Sequence, residues 1–230
     1  MSNALIVGCN NEIGFEVSKL LCESGFEVYG ASSSGLDDNN NFRKIFPLDL
    51  TDDQSVREFL SDMTNFDRSF QFVFFMSGFL SGDSIEDIKQ SDIVRSFDIN
   101  VIGQIRIFQG LMPKMGTDCL ALFMSSISAT NGSYDAVYSA SKAAVEGFVK
   151  AVAVSEKFQG RINALAPGLI RGSKMYQNFS PAQIDTHLEQ TPTGVLTTVD
   201  QVARVACGLL DLEWSNLNGQ VIHLSGGRRV

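Results

Sequence analysis

The sequence has little of what marks a metalloprotein, a disulfide-stabilised protein or a membrane protein. Its 230 residues include four cysteines and two histidines, and neither a Cys-x-x-Cys pair nor another zinc-ligand spacing occurs among them. No apolar run approaches the roughly 20 residues that cross a bilayer, and no basic stretch followed by an apolar segment opens the chain. We therefore expect no metal, no membrane insertion, four buried or half-buried free thiols, and a cytoplasmic location.

Positive charge is scarce as well. The 18 Lys and Arg residues are outnumbered by 26 Asp and Glu residues, which gives a formal net charge of −8. A chain of this charge is not attracted to a phosphate backbone, so we expect no nucleic-acid partner. With 44% hydrophobic and 19% charged residues, the composition is that of an ordinary globular protein, and the length suits one large α/β domain over residues 1–230.

Strand-like and helix-like segments alternate along the chain. An apolar run at 4–7 turns at Gly8 into a helical pattern that ends at Gly25, and a polar loop covers residues 32–41. The apolar runs predict strands at 4–7, 26–31, 44–49, 70–75, 120–124, 161–166 and 221–224, and the helical spacing predicts helices within 13–24, 52–63, 91–112 and 138–158. This alternation is typical of a Rossmann-like doubly wound parallel sheet of about seven strands with helices on both faces.

One long segment, residues 171–194, has the least regular pattern. It carries Met175, Tyr176, Phe179 and His187, which could line a pocket or pack against the rest of the domain. Long irregular segments in compact domains are often functional, and ligands of doubly wound folds bind at the carboxyl ends of the strands. We interpret 171–194 as a substrate lid.

The first strand-to-helix turn runs from Gly8 to Gly14. Gly8 can adopt a backbone conformation closed to other residues, Gly14 allows close packing of helix on sheet, and the amides near Asn11 to Ile13 offer an anion site. The turn departs from the common Gly-x-Gly-x-x-Gly fingerprint, and Glu12 places a carboxylate where a phosphate would bind. On this turn alone, a dinucleotide site and a purely structural tight turn are equally good interpretations.

A stronger signal is Tyr138 followed by Lys142 at the start of a predicted helix. Their spacing of four places both side chains on one helical face, and a nearby cation favours the phenolate, which would lower the tyrosine pKa from about 10. Tyr138 could then exchange protons, while Ser126, or alternatively Ser125, could donate a hydrogen bond to a carbonyl oxygen. Asn100 is a polar residue in an apolar helical pattern and could hold a water behind the lysine.

These motifs resemble those of the short-chain dehydrogenase/reductase family over essentially the whole chain. The glycine turn is similar to the family's Thr-Gly-x-x-x-Gly-x-Gly, with Val7 and Glu12 in place of the Thr and the middle Gly. The family's Asn-Asn-Ala-Gly is represented by Phe75-Met76-Ser77-Gly78. Further matches are Leu48-Asp49-Leu50, which resembles an adenine-contacting turn, Pro167-Gly168-Leu169-Ile170, which resembles a nicotinamide-contacting stretch, and the closing segment 218–227.

The resemblance implies an NAD(P)-dependent oxidoreductase that moves a hydride between nicotinamide and a small carbonyl or alcohol substrate. It implies Asn100, Ser126, Tyr138 and Lys142 as catalytic residues, with Lys142 also holding the ribose. The implied cofactor-binding residues are Gly8, Asn10, Asn11, Ile13, Gly14, Ser32, Asp49, Leu50, Ser77, Gly78, Tyr138, Lys142, Pro167, Gly168 and Ile170.

Cofactor choice depends on the end of the second strand. No acidic residue occurs at 31–34 to pair with a free ribose hydroxyl, and serines there could contact a phosphate, although the next basic residues are Arg43 and Lys44. We therefore expect NADP(H) to be preferred slightly over NAD(H).

The oligomeric state, an alternative function and the substrate are the remaining questions for the sequence. The helices predicted at 91–112 and 138–158 carry more apolar surface than one sheet face needs, and the family resemblance implies a homodimer or homotetramer formed through them. A different interpretation, prompted by Val7, Glu12 and Phe75-Met76, is a dinucleotide-binding sensor or scaffold without turnover. The substrate stays open among sugars, acyl thioesters, steroids and small ketones.

Overall fold

The computed structural model describes residues 2–34 and 41–228. Within this part of the chain, seven strands form one sheet in the order β3-β2-β1-β4-β5-β6-β7, and every neighbouring pair is parallel. The strands are β1 (Asn3–Val7), β2 (Glu27–Ser32), β3 (Phe42–Pro47), β4 (Phe70–Phe75), β5 (Met115–Met124), β6 (Arg161–Pro167) and β7 (Val221–Leu224). The predicted doubly wound parallel sheet is thereby confirmed. Of the polar loop expected at 32–41, residues 35–40 lie outside the described residues.

Helices connect the strands. They are α1 (Glu12–Glu23), α2 (Asp53–Asn65), α3 (Gln90–Phe97), α4 (Gly103–Leu111), α5 (Ser128–Asn131), α6 (Ala136–Ala153), α7 (Lys174–Gln177), α8 (Pro181–Glu189) and α9 (Val199–Gly208), with short 3₁₀ turns at Met112–Lys114 and Leu212–Trp214. The helix predicted at 138–158 ends earlier, at Ala153. Helix α9 was not predicted, although a capping box between Thr198 and Gln201 marks its start.

The helix predicted at 91–112 is interrupted. A π-helical turn, Asp98–Ile102, separates α3 from α4 and contains Asn100. Such turns insert an extra residue into a helix and often occur at functional sites. The interruption changes the direction in which Asn100 presents its side chain, a change that apolar spacing alone does not reveal.

Both faces of the sheet are covered by helices. Along β1, Leu5 and Val7 belong to one hydrophobic cluster, while Ala4 and Ile6 belong to the cluster on the opposite face. This division follows from the two-residue period of a strand, and burial on both faces explains why the central strands are apolar almost throughout.

The order of the strands reverses between β1 and β4, and this positions the site. In open α/β sheets such a reversal opens a crevice at the carboxyl ends of the strands. Gly8 follows β1 there with φ of 84°, and a Cβ on it would lie 2.4 Å from the Ser77 hydroxyl oxygen. Only glycine fits this position, because both the backbone conformation and the close approach of the segment after β4 exclude a side chain.

Residues 171–194 contain two helices, α7 and α8. The Thr193 amide donates to the Gly226 carbonyl oxygen at 3.1 Å, which joins this segment to the turn after β7.

Among the helices described here, none combines the length and apolar character needed to cross a membrane. Cys9 and Cys119 are buried and Cys207 is half-buried, but Cys22 is exposed, so the expectation of four buried or half-buried thiols was wrong for Cys22.

Candidate active site

A pocket of about 720 Å³ opens at the carboxyl ends of the strands. This volume lies within the range of small-molecule sites, roughly 300–1,000 Å³. Its walls include the following sequence-predicted site residues: Gly8, Asn10, Asn11, Ile13, Ser32, Asp49, Leu50, Ser77, Gly78, Ser126, Tyr138, Lys142, Pro167, Gly168 and Ile170. The structure thus brings together residues that lie up to about 160 positions apart in sequence, while Gly14 and Asn100 lie behind the wall.

The glycine turn is organised by Asn11, the N-cap of α1. Its Oδ1 accepts hydrogen bonds from the amides of Ile13 and Gly14, each at 3.0 Å, and its Nδ2 donates to the Gly8 carbonyl oxygen at 2.8 Å. The Ile13 amide, which the sequence analysis counted as part of an anion site, is therefore already bonded to a side chain. The positive end of the α1 dipole still points into the pocket.

Gly14 acts through packing. A Cβ at this position would lie 2.2 Å from the Cys9 carbonyl oxygen, so α1 approaches β1 as closely as the sequence analysis expected. Glu12 lines the pocket, and its Oε2 accepts a hydrogen bond from the Lys174 amide at 3.2 Å. The carboxylate that raised doubt about phosphate binding is therefore engaged with the first turn of α7.

Tyr138 lies in the first turn of α6, whose N-cap Asp135 accepts a hydrogen bond from the Tyr138 amide at 2.8 Å. Burial raises the pKa of Tyr138 to about 12; an interaction with the Ser126 side chain lowers it but is the smaller effect. The Tyr-x-x-x-Lys spacing predicted a lowered pKa, and that prediction was wrong for this structure. The phenol is only 7% exposed, so its charged form loses hydration.

Lys142 does not offset the effect of burial on the Tyr138 pKa. Its Nζ lies 5.7 Å from the centre of the Tyr138 ring and donates to the Met124 carbonyl oxygen at 2.8 Å. Burial lowers the pKa of Lys142 itself to about 8. The ammonium is thus close to the tyrosine, but it is desolvated and bonded to the end of β5.

The two candidate serines have different partners. Ser125 is 2% exposed, and its hydroxyl donates to Glu146 Oε1 at 2.8 Å. Ser126 Oγ accepts a hydrogen bond from the Ser128 amide at 3.1 Å and interacts with Tyr138. Glu146 was not predicted as part of the site, although its position one turn after Lys142 on α6 placed it on the same helical face.

Asn100 is fully buried and its side chain is bonded to protein. Nδ2 donates to the Phe79 carbonyl oxygen at 2.9 Å and to Ser141 Oγ at 2.8 Å, while Oδ1 accepts from the Phe79 amide at 2.7 Å. These contacts tie the segment after β4 to α6. The amide N–H groups of Asn100 are directed at protein acceptors, and its predicted water-holding role stays a prediction.

The crevice suits an extended dinucleotide. At the switch point, Gly8 packs directly against Ser77, where any Cβ would clash, and Gly8, Ser77 and Gly78 all line the pocket. Hydroxyls of Ser32 to Ser34 line one end, and the other end holds Tyr138 and Lys142. Glycines in the middle of the wall and polar side chains towards both ends suit a dinucleotide whose pyrophosphate lies at the glycines. The described residues contain no cluster of three or more metal-ligating side chains.

Comparisons with known proteins agree with this geometry. Residues 8–229 match the family model described as enoyl-(acyl carrier protein) reductase. Over 234 residues, covering 97% of this chain and 96% of the relative, the chain is 25% identical to 3-oxoacyl-(acyl-carrier-protein) reductase FabG of Buchnera aphidicola subsp. Schizaphis graminum. The corresponding enzyme of Vibrio cholerae is 26% identical over 239 residues, 97% of this chain and 96% of that relative.

Solved structures show the same fold. A short chain dehydrogenase family protein from Francisella tularensis superposes with a TM-score of 0.89 at 24% identity, covering 99% of this chain and 98% of that one. A 3-ketoacyl-(acyl-carrier-protein) reductase from Brucella melitensis, complexed with NADH, superposes with a TM-score of 0.86 at 19% identity, covering 100% and 98% of the two chains.

Proposed function

The chain belongs to the short-chain dehydrogenase/reductase family of NAD(P)-dependent oxidoreductases, and we propose that it catalyses hydride transfer between a nicotinamide cofactor and the carbonyl or alcohol carbon of a small molecule. The observation that carries the proposal is a buried phenol, Tyr138, in the wall of a 720 Å³ pocket beside Ser126 and Lys142. The names of the matching family model and relatives refer to two different reactions. We favour carbonyl chemistry, because a phenol and a hydroxyl side by side suit proton donation to an oxygen.

The cofactor would be held along Gly8, Ser77 and Gly78, with Lys142 at its ribose, and it supplies or accepts the hydride when bound. Tyr138 performs the proton step. With a pKa near 12, its Oη keeps the proton at neutral pH, so it is ready to protonate a carbonyl oxygen as negative charge develops there. Ser126 Oγ donates a second hydrogen bond to that oxygen. The Lys142 ammonium stabilises the phenolate that remains.

Ser126, rather than Ser125, is our choice for the oxygen-binding hydroxyl. The Ser125 hydroxyl is committed to Glu146 at 2.8 Å, whereas the Ser126 side chain interacts with Tyr138. Asn100 acts as a positioning residue, because it joins the Phe79 backbone, in the pocket wall, to Ser141 beside Lys142.

Cofactor preference and assembly complete the proposal. Ser32 to Ser34 present hydroxyls to the pocket, and Arg43 is bonded to Glu27 at 2.9 Å, so we propose a modest preference for NADP(H) that rests on hydroxyl groups. Residues 171–194 act as a substrate lid on a single cytoplasmic domain. Val94 and Ile102, 48% and 47% exposed on α3 and the π-helical turn, favour a homodimer or homotetramer. The molar mass from light scattering would test this assembly.

Replacing Tyr138 with Phe tests the central claim. Cofactor affinity, followed by nicotinamide fluorescence, is expected to stay within about twofold, while kcat for NADPH-dependent reduction across a panel of aldehydes and ketones falls about 100- to 10,000-fold. Tyr29→Phe is the matched control, because Tyr29 is also buried but its hydroxyl is bonded to Glu27 outside the pocket. Near-normal turnover in Tyr138→Phe would overturn the mechanism. Cofactor binding by the wild type without turnover of any panel member would favour the sensor interpretation.

A further inference from the structure

A cationic side chain enters the pocket from the turn after β7. Arg228 lines the pocket, and its backbone amide is bonded to the Ser225 carbonyl oxygen at 3.1 Å. Its NH1 lies 2.6 Å from His187 Nδ1, and its NH2 donates to Gln190 Oε1 at 2.5 Å. The guanidinium is therefore fixed in place, between the end of the sheet and helix α8.

Both partners of this guanidinium are neutral side chains. Burial and the adjacent Arg228 charge lower the pKa of His187, so the ring is uncharged at neutral pH and accepts at Nδ1. In the part of the chain that the structure describes, the ion pairs within 4.0 Å all involve other residues. A guanidinium has five N–H donors, so several of them remain for a ligand once these two bonds are made.

The acidic residues of the pocket wall lie away from Arg228. Among the described residues of the wall, the acidic ones are Glu12 and Asp49. Asp49 follows β3, six strand spacings from β7 and so roughly 29 Å away across the sheet. Glu12 follows β1 and accepts a hydrogen bond from the Lys174 amide. Among the described residues of this chain of net charge −8, no carboxylate forms an ion pair within 4.0 Å of the half-buried Arg228 guanidinium.

Half-buried cations are normally paired, because an unpaired charge loses hydration without compensation. A planar guanidinium held by two neutral acceptors presents its remaining N–H groups in the geometry that carboxylates and phosphates match. Phe179 packs edge-on against His187 with ring centres 5.3 Å apart, which holds the imidazole in place behind Arg228.

We propose that Arg228, positioned by His187 and Gln190, forms an anion subsite, and that the substrate is a ketone or alcohol carrying a carboxylate or phosphate. This inference rests on the proposed function for the reacting end. Tyr138 interacts with Ser126, which follows β5, and Arg228 follows β7, two strand spacings or about 10 Å away. The anionic group should therefore lie several bonds from the reacting carbon.

Matched substrate pairs test the subsite. The pairs are 4-oxopentanoate, 5-oxohexanoate and 6-oxoheptanoate, each against its methyl ester, with a phosphate monoester of 5-hydroxypentan-2-one distinguishing phosphate from carboxylate. The wild type is expected to favour the best anionic member over its neutral counterpart about 10- to 100-fold in kcat/KM, the range of one charged hydrogen-bonded contact. In Arg228→Gln this preference disappears while kcat/KM for the ester stays within about threefold.

Two control variants separate recognition from lid stability. Gln190→Ala removes one partner of Arg228 but keeps the charge, so it should keep kcat/KM for the ester within about threefold and preserve the ratio of acid to ester. Arg204→Gln removes a cation that is paired with Asp200 outside the pocket, and it should change neither value. If Arg228→Gln lowers acid and ester equally, Arg228 only secures the lid and the subsite is refuted.

A binding measurement makes the outcome independent of turnover. Isothermal titration of the wild type with hexanoate and with hexanamide is expected to show at least tenfold tighter binding of the carboxylate, and Arg228→Gln should abolish the difference. Anion binding without reduction of any ketone would retain the subsite and reject the proposed function. Ketone reduction with no preference for the anionic member, and no tighter binding of hexanoate, would retain the function and reject the subsite.

Discussion

Replacing Lys142 with Met should uncouple stability from activity in this protein. Burial lowers the pKa of Lys142 from 10.5 to about 8, which corresponds to about 3 kcal/mol of unfavourable free energy for keeping the ammonium charged in the folded state. Methionine removes that cost, but it also removes the hydrogen bond to the Met124 carbonyl oxygen, a contact worth about 1.5–3 kcal/mol for a charged donor. The two effects nearly cancel, so at pH 7 the free energy of unfolding should change by less than about 2 kcal/mol.

The dependence on pH is the sharper part of this prediction. Since the folded-state pKa lies below the unfolded value, the unfolded chain binds more protons between about pH 8 and 10.5, and deprotonation stabilises the fold as pH rises through this window. The wild type should therefore gain about 2 kcal/mol relative to Lys142→Met between pH 7 and 9.5. Below pH 8 the difference between the two proteins should be flat.

Urea unfolding at several pH values measures this difference. Buried Cys9 and half-buried Cys207, whose pKa values are raised by burial to about 11 and about 12, destabilise the fold above about pH 9 in both proteins, and subtraction removes their effect. Lys150→Met is the control, because Lys150 is exposed on the same helix. A difference between wild type and Lys142→Met that stays constant from pH 7 to 9.5 would show that the ammonium is not desolvated. Turnover should fall at least about 100-fold in Lys142→Met and hardly at all in Lys150→Met.

Three further predictions concern the pocket wall. Ser126→Ala should lower kcat about 100-fold at unchanged stability, as measured by steady-state kinetics and urea unfolding, and an unchanged kcat would contradict the role given to its hydroxyl. Ser125→Ala should instead lower the free energy of unfolding by about 1–3 kcal/mol, because it leaves buried Glu146 without its 2.8 Å hydrogen-bond partner. A large loss of kcat without loss of stability would make Ser125 the catalytic serine. Glu12→Gln should tighten NADPH binding about two- to threefold at low salt, since it removes a carboxylate from the pocket while keeping an acceptor for the Lys174 amide. Fluorescence titration measures this affinity, and weaker binding by the variant would contradict the prediction.

Side-chain identity gave only partial information about the site. The spacing of Tyr138 and Lys142 predicted two neighbours on one helical face, and the structure places them 5.7 Å apart from ring centre to Nζ. It did not predict the sign of the tyrosine pKa change, because that sign depends on how much water the surrounding strands and helices remove. Asn100 likewise stood out as polar, but its bond to the Phe79 backbone depends on the π-helical turn.

The sequence by itself determined the architecture and the end of the sheet at which the pocket opens. Alternating periods of two and 3.6 residues are local properties, and parallel strands joined by helices collect the residues after each strand at one edge. Only the tertiary structure decided which charges are left unpaired there. Arg228 and His187 lie 41 positions apart, and neither belongs to a motif, so their contact exists only because residues 171–194 pack against the turn after β7. Burial, pKa and ion pairing depend on all neighbours in space, and no spacing along the chain encodes them.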